Sequence, residues 1–253
     1  MENNLLYNDY ELVITDDGSH SIRFAAIDEG YHSTHGAIKE AMHVYILPNM
    51  AQHIGTQNVI NVFEMGFGTA LNAFLSYLYA KANNCQVHYT AVEAYPIPKD
   101  IYNKLNYAEL CVKEIQTLYP EIDFGNCSDD FFKLHTSEWD TATSIAPHFK
   151  LTKRHCTIQD INLPKNLYHS IYYDAFAPQF QPELWSKDIF DKLRQASSPH
   201  AILTTYCCKG DVKRALKAAG YTIEKLPGPK GKREMLRAKI ENQPTVKLYK
   251  QSL

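Results

Sequence analysis

The residues best suited to chemistry surround two glycines, Gly66 and Gly68, which come shortly after the mostly apolar run Val59–Phe63. Branched and aromatic side chains in that run predict a strand buried on both faces, and residues 70–82 predict a helix. Glycine turns leave backbone N–H groups open to a ligand at the start of a helix. A strand, a glycine turn and a helix in this order are how a doubly wound α/β sheet binds a nucleotide-like ligand.

The side chains around the glycines indicate which ligand the turn would bind. A dinucleotide site needs a small residue where this chain has Leu71, and Glu64 would repel a pyrophosphate. The pattern of Glu64, Gly66, Gly68 and Thr69 instead favours a cofactor that has a ribose and an amino-acid tail but no phosphate. The sequence therefore predicts that these four residues bind S-adenosylmethionine.

Two further acids follow predicted strands. Glu93 ends the run Val87–Val92, and Asp160 follows Cys156–Gln159. A carboxylate at the tip of the second strand can accept hydrogen bonds from both ribose hydroxyls, so we predict that Glu93 binds the cofactor ribose. Asp160 is a candidate acceptor for the adenine amino group. A solvated acid before a turn is the alternative interpretation of Glu93, and an ordinary surface aspartate is the alternative interpretation of Asp160. The sequence leaves both open.

A third strand-end acid, Asp174, follows the apolar run Ser170–Tyr173 and precedes Phe176 and Pro178. This segment resembles the Asp-Pro-Pro-Tyr loop of enzymes that methylate exocyclic amines. Such a loop must bind an amine, remove its proton and direct the lone pair at a methyl group. Asp174 could bind the ammonium and move its proton away, and Phe176 could stack on a base or contact the cation. We therefore predict Asp174 and Phe176 as catalytic residues.

Several motifs together resemble one family, the methyltransferase part of MnmC. The resemblance extends from about Asp28 to about Arg237 and is carried by Glu64–Asn72, Asp174–Pro178, Pro182–Trp185 and Gly231–Leu236, preceded by the lead-in residues Tyr31–Ser33, Gly36–Ala37, Glu40 and His43–Val44. That family methylates the aminomethyl group on the wobble uridine of certain tRNAs. The resemblance implies an S-adenosylmethionine cofactor, a tRNA partner and the addition of Asn72 to the cofactor site.

The chain differs from the best-known members of that family. Ala70 and Ala175 stand where they have glycines. Those members also carry a flavin-dependent oxidoreductase half, and we expect no flavin domain in this chain. The resemblance therefore implies methyl transfer alone, on an aminomethyl group supplied by other enzymes.

Charge is distributed unevenly, although the formal net charge is only −2. Residues 1–60 contain eight acidic and two basic residues, whereas residues 209–253 contain twelve basic and four acidic ones. A basic face provides phosphate contacts that do not depend on sequence. We predict that Lys230, Lys232 and Arg233 contact RNA; a solvated helix followed by a charged hairpin is the alternative.

Strands that alternate with helices and end in an antiparallel hairpin indicate the fold. We expect an α/β, doubly wound, Rossmann-like seven-stranded methyltransferase fold with an N-terminal β-hairpin around Asp16-Asp17-Gly18. The expected division is an N-terminal extension over residues 1–55 and a methyltransferase domain over 56–253. Further helices are expected over 38–46, 106–118, 182–196 and 211–219, strands over 12–15, 21–25, 201–206, 221–226 and 234–238, and an antiparallel pairing of 149–151 with 156–158.

Other classes of protein are disfavoured by composition. No apolar run reaches 18 residues, so we expect no membrane-spanning helix. The six cysteines lack C-x-x-C spacing and the N-terminus is polar, which favours reduced thiols in the cytoplasm. His32, His35 and His43 lack the cysteine or carboxylate companions of a metal site, so none is expected.

The expected activity is N-methylation of the aminomethyl group of the tRNA wobble uridine with S-adenosylmethionine as donor. A small-molecule amine N-methyltransferase would need the same cofactor residues without the basic C-terminal face. An aminopropyl transferase would need more acids for a polyamine. A catalytically silent binding protein on the same fold remains a third alternative.

Overall fold

The computed structural model describes residues 10–24 and 29–240. At the N-terminus a small sheet contains β1 (Tyr10–Ile14), β2 (His20–Phe24) and β3 (Glu29–Gly30). β1 and β2 pair antiparallel around the predicted turn, which confirms the hairpin. Asp17 fixes this turn because its carboxylate accepts hydrogen bonds from the Ser19 amide (3.0 Å) and the Thr15 hydroxyl (2.8 Å). Residue 25, where the second strand was expected to end, and the polar N-terminus lie outside the described residues.

A second, larger sheet forms the centre of the molecule. Its strands are β4 (Val59–Met65), β5 (Gln86–Glu93), β6 (Ala142–Ala146), β7 (Phe149–His155), β8 (Tyr168–Tyr173), β9 (Ser197–Thr205), β10 (Thr222–Pro227) and β11 (Glu234–Lys239). They lie in the order β10-β11-β9-β8-β4-β5-β7-β6. The five central strands are parallel, and antiparallel pairs close both edges. The doubly wound methyltransferase fold is therefore confirmed, with β6 as an eighth strand at the edge.

One predicted strand pairing is wrong. Residues 149–151 do not pair with 156–158, because β7 continues to His155 and its antiparallel partner is β6. The polar Lys153 suggested a turn but is completely buried in the middle of the strand. Its ammonium lies 4.6 Å from the centre of the Trp139 ring and 5.4 Å from that of Phe67, and it donates to the His135 carbonyl (2.6 Å). These contacts allow a lysine to occupy a core position.

Helices cover both faces of the large sheet. They are α1 (Ala37–Ala41), α2 (Leu71–Ala82), α3 (Lys99–Tyr102), α4 (Tyr107–Leu118), α5 (Ser128–Thr136), α6 (Lys187–Ala196) and α7 (Gly210–Ala218). Three short helical turns add to them, a π-helical turn at Met42–Ile46 and 3₁₀ turns at Met50–His53 and Pro182–Trp185. The predicted helices are confirmed with two changes: 38–46 is α-helical only to Ala41, and 182–196 is interrupted at Ser186.

Two groups of buried apolar residues stabilise the sheet, one on each face. α2 lies inside the first group and is buried from Leu71 to Ala80, since the segment 37–53 packs against it and also contacts β4, β8 and β9 of the sheet. Val44, Ile46 and Met50 of that segment are fully buried in the same core. We propose that residues 1–55 form an extension whose described part folds together with the sheet. Among the described residues, no helix is both long and apolar enough to cross a membrane.

Candidate active site

A cavity of about 650 Å³ opens at the carboxyl ends of β4, β5 and β8. This is the edge of a doubly wound sheet at which ligands bind, and the volume lies within the roughly 300–1,000 Å³ of small-molecule sites. Its lining contains one lysine, Lys232, and five acids. The acids are Glu40, Glu64, Glu93, Asp174 and Glu183. The excess of carboxylates makes the cleft suitable for positively charged ligands.

The glycine turn is built against the loop that follows β8. Gly66 has a φ of +90°, and its amide donates to the Val92 carbonyl at 3.0 Å. A Cβ at Gly66 would lie 3.2 Å from the backbone oxygen of Asp174, and one at Gly68 would lie 3.2 Å from the Tyr31 ring. Because glycine has no side chain, the turn can approach the Asp174 loop closely enough for both to belong to one site.

Glu93 lies at the end of β5 and is fastened to the glycine turn. Its Oε2 accepts from the Gly68 amide (3.0 Å), and its Oε1 accepts from the Tyr95 amide (2.8 Å). Burial raises the pKa of Glu93, although the two backbone donors oppose that change. A carboxylate oxygen can accept more than one hydrogen bond, so ribose hydroxyls could share these oxygens.

Asp174 belongs to a hydrogen-bonded group with Glu64, Asn72 and Tyr45. The Asn72 amide nitrogen donates to Glu64 Oε1 (2.9 Å) and to Asp174 Oδ2 (2.8 Å). The Tyr45 hydroxyl donates to Asp174 Oδ1 (2.6 Å). Burial raises the pKa of Glu64, and it raises the pKa of Asp174 to about 6 against the opposing effect of both donors. An acid with a pKa near neutrality can accept a proton and release it again.

The loop after Asp174 is held by two aromatic side chains, one of which, Tyr206, also lines the cleft. Tyr206 donates its hydroxyl to the Ala175 carbonyl (2.9 Å), and the Trp185 indole donates to the Phe176 carbonyl (2.8 Å). The Phe176 ring makes an edge contact with Tyr31, with ring centres 5.2 Å apart. Phe176 and Tyr31 thus form an aromatic rim beside Asp174 in the same cleft.

The three basic residues predicted to contact RNA have different surroundings. Lys232 lies in the cleft, where its ammonium is 2.6 Å from Glu40 Oε1 and 4.2 Å from the centre of the Tyr206 ring. Lys230 forms an ion pair with Asp16 at 2.8 Å. Arg233 instead lines a shallow groove that adjoins the cleft and shares Tyr206 and Lys232 with it.

Two other residues predicted to bind the cofactor, Asp160 and Thr69, differ in position. Asp160 is exposed, accepts from the Thr157 hydroxyl at 2.6 Å, and is absent from the cleft lining, whereas Thr157 and Gln159 contribute to it. The strand before Asp160 ends at His155, so this acid lies in the turn that comes after the strand and not at the strand end. Thr69 is buried in the cleft wall, with its hydroxyl 3.3 Å from His32 Nε2.

The three histidines that the sequence analysis considered as metal ligands have different neighbours. His32 Nδ1 lies 3.1 Å from the Ser21 hydroxyl, His35 Nδ1 lies 3.2 Å from Asp16, and His43 Nε2 lies 2.8 Å from the Pro227 carbonyl. Within residues 10–24 and 29–240, no three histidine, cysteine or acidic residues are arranged to hold a metal ion. All six cysteines are free thiols.

Comparisons with known proteins agree with this geometry. Residues 129–241 match the family described as S-adenosyl-L-methionine-dependent methyltransferase. The fold is similar to that of MNMC2 from Aquifex aeolicus, with a TM-score of 0.68 and 19% identity over 92% of this chain and 71% of that chain. Fold, cleft and family match together define the protein as an S-adenosyl-L-methionine-dependent methyltransferase.

Similar proteins with curated names indicate which type of methyltransferase this is. The chain is 30% identical over 221 residues to a Burkholderia thailandensis protein, and 28% identical over 232 residues to one from Leptospira borgpetersenii. Both are called tRNA 5-methylaminomethyl-2-thiouridine biosynthesis bifunctional protein MnmC. The matches cover 81% and 86% of this chain but only 31% and 33% of the relatives, so the chain spans about a third of their length. The protein is a methyltransferase of the MnmC type.

Proposed function

We propose that this protein transfers a methyl group from S-adenosyl-L-methionine to the aminomethyl group on the wobble uridine of tRNA. The observation that carries the proposal is the position of Asp174, a carboxylate with a pKa of about 6 in the cleft that also contains the glycine turn. The names of the curated relatives support tRNA as the substrate. A tRNA substrate would place the enzyme in the cytoplasm.

The cofactor fits the residues that line the cleft. Gly66 and Gly68 present bare backbone, and Glu93 offers carboxylate oxygens at the tip of β5 for the ribose. We propose that Glu64, Thr69 and Asn72 complete the cofactor site, because all three are buried in its wall. Five acids also favour a ligand that carries a sulfonium and an ammonium charge.

The bound cofactor supplies a methyl group that its sulfonium already activates, so the protein has to position and deprotonate the amine. The amine must lose a proton before its nitrogen has a lone pair. Asp174 binds the ammonium, accepts that proton and later releases it to solvent. Once that proton has left for solvent, the Asp174 carboxylate is ionised again and would stabilise the positive charge that develops on the amine as it takes up the methyl group, with the thioether of the cofactor as leaving group. Phe176 and Tyr31 provide an aromatic surface for the uracil ring.

A path for the RNA backbone adjoins the cleft. The shallow groove is lined by Tyr206, Lys209, Arg233 and three neighbours. An aromatic ring between basic side chains is typical of sites for single-stranded nucleic acid. We therefore propose that Lys209 and Arg233 contact phosphates next to the target nucleotide. Lys230 and Lys232 are neutralised in part by Asp16 and Glu40, and we expect them to contribute less.

The proposal is tested by methyl transfer from labelled S-adenosyl-L-methionine. The acceptors are a tRNA with an aminomethyl wobble uridine, the same tRNA without that group, and simple primary amines. We expect label only in the wobble nucleoside of the first tRNA, and almost none with Asp174→Asn. Label in free amines but not in tRNA would establish the small-molecule alternative. No transfer to any acceptor, despite cofactor binding, would favour a silent binding protein.

A further inference from the structure

Tyr45 lies in the π-helical turn Met42–Ile46, between α1 and the rest of the N-terminal extension. Its side chain is buried, and its hydroxyl reaches the active-site carboxylate, with 2.6 Å between Tyr45 Oη and Asp174 Oδ1. In the turn, the Leu47 amide donates to the Met42 carbonyl, five residues earlier. Short π-helical turns are rare and occur often at functional sites. The position of Tyr45 is thus unusual in both its backbone and its contact.

A hydroxyl that donates to a carboxylate stabilises the ionised form and fixes its orientation. Burial raises the pKa of Tyr45 well above its ordinary value, so this hydroxyl remains a donor at every relevant pH. Asn72 holds the second oxygen of Asp174, which means that both carboxylate oxygens have a side-chain donor. The carboxyl group cannot rotate without breaking one of these two hydrogen bonds.

Other charged groups face Asp174 from several elements. Glu40 on α1 and Glu64 on β4 are acids that disfavour its ionisation. Lys232 on the loop between β10 and β11 favours it but is itself paired with Glu40. The Tyr206 ring contacts the Lys232 ammonium, and the Tyr206 hydroxyl donates to the Ala175 carbonyl and not to the Asp174 carboxylate. Tyr45 and Asn72 are therefore the described side chains that donate directly to Asp174.

We propose that Tyr45 is a positioning residue for methyl transfer, which orients the Asp174 carboxylate and keeps it ionised to receive the amine proton. This role rests on the proposed function of Asp174. It also gives the N-terminal extension a part in the active site, because the residue comes from that segment while Asp174 follows β8.

Tyr172 provides a matched control. Its ring packs beside that of Tyr45, with centres 5.5 Å apart, and it is also fully buried. Its hydroxyl lies 3.2 Å from Ser76 Oγ, and it does not line the cleft. Tyr45→Phe and Tyr172→Phe thus remove the same atom from neighbouring positions, but only the first removes a donor to Asp174.

The direct measurement is the titration of Asp174 itself. Protein labelled with ¹³C at the aspartate carboxyl carbon gives the pKa of this group by NMR, with the signal assigned by its loss in Asp174→Asn. We expect Tyr45→Phe to raise the pKa of Asp174 by an amount that corresponds to about a tenfold change in proton affinity. Tyr172→Phe should leave the proton affinity of Asp174 within twofold of its value in the original protein. Equal titration in all three proteins would overturn the inference.

The kinetic measurement is the pH dependence of kcat with the aminomethyl tRNA. We expect the acidic limb of the Tyr45→Phe profile to move to higher pH by the same amount, with little change in KM for the cofactor. A lower kcat without any movement of that limb would show a purely structural role and contradict the inference. The NMR titration needs no acceptor, so a raised Asp174 pKa without methylation of tRNA would refute the proposed function while the contact of Tyr45 stands.

Discussion

The buried position of Asp174 lowers the stability of the folded protein when this carboxyl group is ionised. Its pKa in the folded protein, about 6, is higher than the ordinary value of 3.8, so the folded state disfavours the ionised carboxylate. Stability from this group is therefore complete at low pH and decreases as the pH rises from about 4 through 6. The buried charge is retained because the proposed chemistry needs a base, which is a frequent conflict between stability and activity.

Asp174→Asn separates these two effects. We expect this variant to lose most turnover, since a neutral amide is a poor proton acceptor, and to keep its affinity for the cofactor. Relative to the original protein it should become more stable as the pH rises from 4 to 8, by roughly 2 kcal/mol. Denaturant unfolding at both pH values measures the difference. Asp188→Asn, at an exposed acid, is the control and should show no comparable gain; a variant with near-normal turnover would exclude Asp174 as the base.

Glu93 and Asp160 were both predicted to bind the cofactor, and the structure distinguishes their positions. Glu93→Ala should weaken cofactor binding by roughly 1–3 kcal/mol, because hydrogen bonds to a charged group are removed. Asp160→Ala should leave the affinity nearly unchanged, since this acid is exposed and outside the cleft lining. Calorimetry with S-adenosyl-L-methionine compares the two. Equal weakening would show that Asp160 reaches the cofactor, and unchanged affinity with Glu93→Ala would remove Glu93 from the site.

At the scale of elements, parts of the site next to strand ends could be predicted from the sequence. Glu64, Glu93 and Asp174 each come at or near the end of a buried apolar run, and the carboxyl ends of parallel strands meet at one edge. Tyr45 could not be found in this way. It lies in an apolar helical segment, and its partner is 129 residues away in the chain. Local pattern contains no signal for such a contact.

Lys153 shows the opposite difficulty, in which a local signal was misleading. A lysine beside an arginine is typical of a turn, yet aromatic rings and a helix-terminal carbonyl hold it inside β7. Tertiary contacts outweighed local preference there. The eighth strand escaped prediction for a related reason, since β6 has only one buried residue among its five and no alternating pattern.

The glycine turn allows a test of how closely two elements must approach. Gly66→Ala places a methyl group 3.2 Å from the Asp174 carbonyl and at a φ of +90°, whereas Gly55→Ala, at a φ of +73°, meets no atom within 4 Å. Both changes should cost about 1–2 kcal/mol of stability through the left-handed backbone. Only Gly66→Ala should also lose turnover, because it displaces the Asp174 loop. Thermal unfolding and methyl-transfer rates provide the comparison, and normal turnover in Gly66→Ala would show that the loop tolerates displacement.

At the scale of the whole molecule, the acidic N-terminal part and the basic C-terminal part meet beside the cleft. Asp16 pairs with Lys230, Glu40 pairs with Lys232, and His43 bonds the Pro227 carbonyl. Ion pairs within the folded protein therefore neutralise part of the charge difference between the two ends of the sequence. This reduces the number of cations left for RNA. Lys209 and Arg233 are two that lie in the groove next to the cleft.

The salt dependence of tRNA binding tests that distribution. Changing Lys209 and Arg233 to Gln should weaken binding and lower the log–log slope against salt by about 0.7–0.9 for each phosphate that the protein no longer neutralises. Lys230→Gln should lower it less, because the ion pair with Asp16 already compensates its charge. Affinity for free S-adenosyl-L-methionine should not change, since neither Lys209 nor Arg233 lines the cofactor cleft.

A second double variant, Lys113→Gln with Lys150→Gln, is the matched control for this binding series. It removes the same charge from exposed positions outside both the cleft and the groove. Its slope should stay close to that of the original protein, because charges far from the bound phosphates release few counterions. If both double variants lower the slope equally, binding depends on overall charge and the groove is not the RNA path. If only the Lys209 and Arg233 variant lowers the slope, the phosphates next to the target nucleotide lie in the groove beside Tyr206, which also lines the cleft that contains Asp174.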